Sequence, residues 1–378
     1  MKQFTIPAGM RDRIREECAS RRELQQAIEE RFARWGYEEV ITPTIEFYKT
    51  YEAGFDNINE EDMYKFFDAQ GRILMLRADM TIPIARLAAT KFKDAEVPLR
   101  FRYCANVFKV HEDLSGLKNE IRDCGVELIG VPQTCGDLEI LMTALDALSV
   151  VKDRSWVLEI GNINFFREAC RYFSITKEDS EALAELIDEK SITSLAEKLD
   201  ALGLRAEGRQ FFLQLPWLSG DQRMLQDAEQ YCFCEELLQI LRDLSSLADD
   251  LQALGCERVQ FDLGKTKNLN YYTGIVFEAY VEGVGKRVLS GGRYDTLLEK
   301  YGRKLPAVGF SIKLDALSEI WQAKEPPEET VIVYPPKERV AAMKKARQLA
   351  EEGRVRLVAD ATAQELRIKE GWRCCRSH

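Results

Sequence analysis

A chain of 378 residues with 46% hydrophobic content can fill one large core or two ordinary ones. Its formal charge of -10 argues against general binding of polyanions, because nucleic-acid affinity rests on lysines and arginines that neutralise phosphates. Two histidines, His111 and His378, supply a zinc site or a histidine-based triad poorly, so no metal and no cofactor is expected. The ten cysteines are scattered without paired spacing, apart from Cys232-Phe-Cys234 and Cys374-Cys375, and are expected as reduced thiols. No apolar run nears the roughly eighteen residues a bilayer span needs, and the opening "MKQFTIPAGMRDR" lacks an apolar signal core. A cytoplasmic protein without membrane contact is the expectation.

Apolar residues and alanines recur at helical spacing from Asp12 to Trp35, and Gly36 stands where a C-terminal cap belongs. The segment "YEEVITPTIEFYKTYE" follows as a short strand broken at Pro43, which has no N–H for a sheet ladder and suits an edge or an interface. Strand-like runs at 73–77 and 99–108 flank a helical "TIPIARLAATKF", and Val126 to Gly130 fits another strand. A helix is predicted from Asp137 to Val151, a strand from Trp156 to Ile160 and a helix near Phe165 to Phe173.

Residues 176–255 then hold no convincing strand; they begin with a capping signal at Thr176 and repeat helical periodicity, as a helical insertion does. Strands resume at 258–262, 273–281 and 286–290, and a glycine-rich turn "SGGRYD" leads into a helix from Thr296 to Tyr301. A last strand and helix, "AVGFSIKLDALSEIWQ", close a core expected over 1–322. Strands from distant stretches with short links point to an antiparallel sheet flanked by helices, an α+β arrangement. Beyond the linker "AKEPPEE", residues 330–378 read as strand 330–334, helix 337–352, strand 354–359 and a helical start: one βαβ unit.

Four stretches concentrate polar residues at strand ends: "MLRADMTIP", "VFKVHEDLSGLKNEIRDCGVELIG", "KNLNYYTGIVFEAY" and "VLSGGRYDTLL". On one sheet they would bring together Asp79, Thr81, Asp123, Glu127, Lys267, Tyr271, Tyr272 and Tyr294. Carboxylates suit an ammonium, a lysine suits a carboxylate, and tyrosine hydroxyls with Glu127 suit a polar ring that both donates and accepts. Gly291 and Gly292 would let the backbone approach a small ligand. The same residues read singly as strand-end caps, core tyrosines and a hairpin turn. His111 is expected as a solvated loop residue.

"GYEEVITPTIEF", "LRADMTIPIARL", "FRYCANVFKV...GLKNEIRDCGVELIG", "LEIGNINFF", "NLNYYTGIVFEAY", "SGGRYDTLL" and "PAVGFSIKLDAL" resemble, in order and character, the histidyl-tRNA synthetase catalytic core, a class II aminoacyl-tRNA synthetase fold. The resemblance covers roughly residues 5–320. It implies that Asp79, Thr81 and Asp123 face a histidine ammonium, that Glu127 and Tyr272 read the imidazole with Tyr294 nearby, and that motif 1 around Pro43 forms a homodimer interface.

Where such a core adenylates with arginines, this chain has Lys109, Leu117 and Ala316, and Lys267 replaces a further arginine. The C-terminal segment supplies at most half of an anticodon-binding domain, so tRNA is not an expected partner. In these departures the chain resembles the regulatory-subunit family of ATP phosphoribosyltransferase, which implies no chemistry of its own. That family implies a hetero-oligomer with a short-form catalytic subunit and feedback inhibition by L-histidine. The alternatives are a histidyl-tRNA synthetase or a related histidine-adenylating enzyme.

Overall fold

Alternation along Glu120–Ile129 sets the layers of the molecule. Cys124, Val126 and Leu128 are buried on one side of this strand, whereas Asp123 and Glu127 line a cavity on the other, as the period of two demands. The computed structural model describes residues 5–54, 60–111, 118–266, 269–321 and 328–372. Backbone contacts divide these into two units, one up to Arg13 and from Arg21 to Trp321, the other comprising Ile14–Ser20 and the residues after Gln322.

The larger unit is built on a nine-stranded sheet. Its order is Glu38–Glu39, Leu99–Phe108, Glu120–Ile129, Ala307–Lys313, Leu289–Arg293, Ile275–Val281, Trp156–Asn162, Val259–Asp262 and Ser219–Gly220. Neighbours run antiparallel except at Glu38–Glu39 beside Leu99–Phe108 and at Trp156–Asn162 beside Val259–Asp262. One face is covered by an apolar cluster that joins Leu24, Ile28 and Phe32 to Ile140, Leu141, Phe165 and Phe211. A second cluster, around Tyr51, Met75, Phe101, Tyr103 and Tyr294, covers part of the other face. The expected α+β fold, an antiparallel sheet flanked by helices, is the observed one. Among the described residues no helix is long and apolar enough to cross a membrane.

The insertion is helical, with Lys177–Asp188, Ile192–Leu202, Ala206–Gln214, Gln222–Ala228 and Glu235–Ala253. Thr176 caps the first of these, its hydroxyl oxygen accepting the Asp179 N–H at 3.2 Å. One short strand interrupts it: Ser219–Gly220 pairs with Asp262 and Phe261 at the sheet edge.

Four other elements differ from the sequence expectation. The strand expected from Val126 begins at Glu120; its first half carries Glu120, Arg122 and Asp123 instead of apolar alternation, which hid it in the sequence. The turn expected in "SGGRYD" is largely strand, Leu289–Arg293, with both glycines in mid-ladder. The helical start expected after 359 is the strand Arg367–Trp372, antiparallel to Glu329–Tyr334, which runs parallel to Arg354–Ala359; with the helix Arg339–Leu349 they build the smaller unit. Cys104 and Cys124, directly opposed in the ladder, form a disulfide, contrary to the expectation of reduced thiols throughout. Cross-strand opposition of two cysteines is not visible in their spacing.

Candidate functional site

The strands converge on a cavity of about 860 Å³ on the sheet face away from the Leu24–Ile28–Phe32 helix. Asp79, Thr81, Asp123, Glu127, Tyr271, Tyr272, Gly291 and Tyr294 all line it. Gly292 lies just behind the wall, where a Cβ would meet the Tyr272 ring at 2.6 Å. Lys267 and Leu117 fall outside the described residues. Lys109 lines the cavity, as does the half-buried His111. Ala316 does not line it; it is buried in the apolar cluster between Leu314 and Leu317.

Glu127 is the centre of the site. It is 1% exposed; Oε1 accepts from the Thr81 hydroxyl at 2.8 Å and Oε2 from the Tyr294 hydroxyl. Burial pushes its carboxyl up to about 8, against the pull of those two hydrogen bonds and with Asp79 adding to the rise. The register places Gly309 directly opposite Glu127, and a Cβ there would lie 1.8 Å from Oε2. The missing side chain at Gly309 is what makes room for the acid.

Asp79 precedes the helix Thr81–Thr90 and accepts the Ile82 N–H at 2.8 Å. Burial pushes it up to about 6, opposed by the backbone N–H groups of Ile82 and Thr81 and by Lys109. Asp123 stands four residues before Glu127 on the same face, 5% exposed, and its Oδ2 accepts from Lys313 Nζ at 2.7 Å. Lys313 is its cross-strand partner in the register.

The tyrosines reach the cavity from a loop that other parts of the fold hold by its backbone. Arg167, on the helix Ile163–Tyr172, donates to the carbonyls of Leu269 and Tyr272, and Asn164 donates to that of Thr273 at 3.0 Å. Tyr271 stacks on Tyr294 with ring centroids 5.4 Å apart, and Tyr272 meets Tyr271 edge-on at 4.8 Å. Burial raises the phenols of Tyr271, Tyr272 and Tyr294, so all three remain neutral hydroxyls.

Sequence reasoning overlooked Lys313, Ser311, Ser290, Arg287 and Tyr103, all of which line the cavity. The signal for Lys313 was available: 309, 311 and 313 share one face of a strand, and Gly-x-Ser-x-Lys is an unusual face for a core. Chemically, the cavity presents carboxylates for an ammonium, lysines for a carboxylate, and a protonatable acid among hydroxyls for a polar ring.

The model of the histidyl-tRNA synthetase family matches residues 9–317. The ATP phosphoribosyltransferase regulatory subunit of Acetivibrio thermocellus is 36% identical over 353 residues, covering 92% of this chain and 84% of the relative. The chain belongs to the histidyl-tRNA synthetase-like family of ATP phosphoribosyltransferase regulatory subunits. Another member of this regulatory-subunit family, from Bacillus cereus, is 33% identical over 356 residues, covering 92% of this chain and 84% of its own.

Among solved structures, one from Bacillus halodurans described as an ATP phosphoribosyltransferase regulatory subunit/histidyl-tRNA synthetase matches with a TM-score of 0.84 and 30% identity, over 96% of this chain and 94% of that one. A histidyl-tRNA synthetase from Nostoc shares the fold, with a TM-score of 0.76 at 20% identity over 96% of this chain and 88% of that one. The regulatory-subunit family and the synthetases thus share the class II sheet described above.

Proposed function

We propose that this chain is the non-catalytic regulatory subunit of an ATP phosphoribosyltransferase, at the first step of histidine biosynthesis. It is required by a short-form catalytic subunit and mediates feedback inhibition by histidine bound in the cavity. The observation that carries this reading is Glu127: a buried acid whose carboxyl is pushed up to about 8, held by Thr81 and Tyr294 in the wall of a cavity that also presents Asp79 and Asp123. An imidazole needs a partner that can donate or accept, and the two aspartates suit an α-ammonium. A wrong amino acid would offer the acid proton of Glu127 no acceptor, at a cost of about 1–3 kcal/mol.

A sensor must bind its effector more tightly in one state of the complex than in another. It has no need to hold a nucleotide. On this reading Lys109, Leu117 and Ala316 stand where an adenylating core has arginines, and loss of even one fixed donor of that kind costs about 10²- to 10³-fold in rate. Ala316, buried among leucines, presents no cation to the cavity. We place the chain in the cytoplasm, as a homodimer core inside a hetero-oligomer.

The test is phosphoribosyltransferase activity of a short-form catalytic subunit from the same organism, with and without this chain. Activity that requires the chain supports the reading. Histidine-dependent pyrophosphate exchange by the chain alone would instead favour the adenylating alternative.

A further inference from the structure

The two oxygens of Asp123 are treated unequally. Oδ2 accepts from Lys313 Nζ at 2.7 Å, while Oδ1 is buried with no hydrogen-bond partner among the described residues. A buried carboxylate oxygen left this way gains from any donor that reaches it, and Asp123 lines the cavity from which a donor would come. Its present partner is less confined: the Lys313 side chain is 28% exposed, against 7% for that of Asp123, and it too lines the cavity. A lysine ammonium on a four-carbon stem can redirect without moving its backbone. Lys118, another lysine of the lining, is engaged elsewhere, with Glu319 at 3.4 Å.

We infer that Asp123 and Lys313 form an exchangeable ion pair that reads the backbone of an α-amino acid: the ligand ammonium takes Asp123, and Lys313 passes to the ligand carboxylate. The inference rests on the proposed histidine pocket and deepens it, because it assigns the carboxylate specificity to a residue of the Ala307–Lys313 strand. An amino acid replaces one ion pair by two, so no charge is left bare. An amine without a carboxylate breaks the internal pair and leaves the Lys313 ammonium unmatched. The pair therefore excludes simple amines and admits the zwitterion.

The experiment is equilibrium binding of histidine and of histamine, its amine analogue, to the full chain, for the wild type and for Lys313→Met, Lys313→Gln and Lys313→Arg. The wild type is expected to prefer histidine by about 30-fold or more. In Lys313→Met the preference should collapse to about threefold or less, with histamine bound no more weakly than before. Lys313→Gln should behave like the Met variant while keeping a donor for Asp123, so it carries the test if the Met variant does not fold. Lys313→Arg should keep most of the preference.

Full preference retained in the Met or Gln variant, or an equal loss of both ligands, overturns the exchange and leaves the histidine pocket standing. A wild type that binds neither ligand removes the pocket itself, and the exchange with it.

Discussion

Two ion clusters lie on the same sheet, one strand apart, and they are finished differently. Arg293, fully buried at the end of Leu289–Arg293, is met on every side: Asp137 lies 2.6 Å from Nη2, Asp295 2.9 Å from Nη1, and Nε also donates to Asp137 at 2.7 Å. Asp123 has one lysine and one orphaned oxygen, and Glu127 keeps its proton up to about 8. The closed cluster fixes one geometry. The open one stores unsatisfied polarity on a residue that lines a cavity, where a ligand can supply what the protein withholds.

The largest effect should separate the two clusters directly. Arg293→Met strands Asp137, which is 3% exposed, and should cost about 3–5 kcal/mol in chemical denaturation. Lys313→Met also strands a buried aspartate, but removes a partly exposed partner beside an open cavity, and should cost less, about 1–3 kcal/mol. Equal losses would erase the distinction.

Gly309→Ala attacks the open site from its backbone, because the new Cβ would lie 1.8 Å from Glu127 Oε2 and 2.6 Å from the Val126 carbonyl oxygen. It should destabilise the chain by about 1–3 kcal/mol and abolish the histidine response. A normal response in a folded Gly309→Ala protein would show that Glu127 does not need that space. Milder changes sharpen the point: Glu127→Gln and Tyr272→Phe should each weaken the histidine response by about tenfold. Neither should affect assembly with the catalytic subunit, measured by size-exclusion chromatography, and loss of assembly in both would assign these residues to structure.

A separate effect is in pH. The folded-state carboxyl of Glu127 is raised from 4.5 to about 8, so the folded state holds the proton that the unfolded chain releases. Its stabilising contribution is complete below about 4.5 and is lost as pH rises through about 8. Between pH 6 and pH 9 the thermal midpoint of the unliganded protein should fall, and Glu127→Gln should flatten that fall. Asp79, raised to about 6, acts with the same sign at lower pH.

How far these features could be read from the sequence depended on whether a residue's role is local. Thr176 announces a cap because capping involves residues three positions away, and the insertion announces its helices by period. Asp79, Thr81, Glu127 and Tyr294 were found through ordered motifs, and all four line the cavity. The strand content of "SGGRYD" was hidden, since glycines signal a turn unless a neighbour such as the Tyr272 ring claims the space of their side chains. The alternation Gly-x-Ser-x-Lys marked the face of Lys313 but not its partner: the pairing depends on standing opposite Asp123, 190 residues earlier in the chain. The Cys104–Cys124 bond is legible only once the register of Leu99–Phe108 against Glu120–Ile129 is known.

The most direct measurement is histidine inhibition of the reconstituted phosphoribosyltransferase, comparing complexes assembled with the wild-type chain and with Glu127→Gln. If the cavity senses histidine, the variant complex should keep its uninhibited activity and need about ten times more histidine for half-inhibition. Superimposable inhibition curves would contradict the account and place the effector elsewhere.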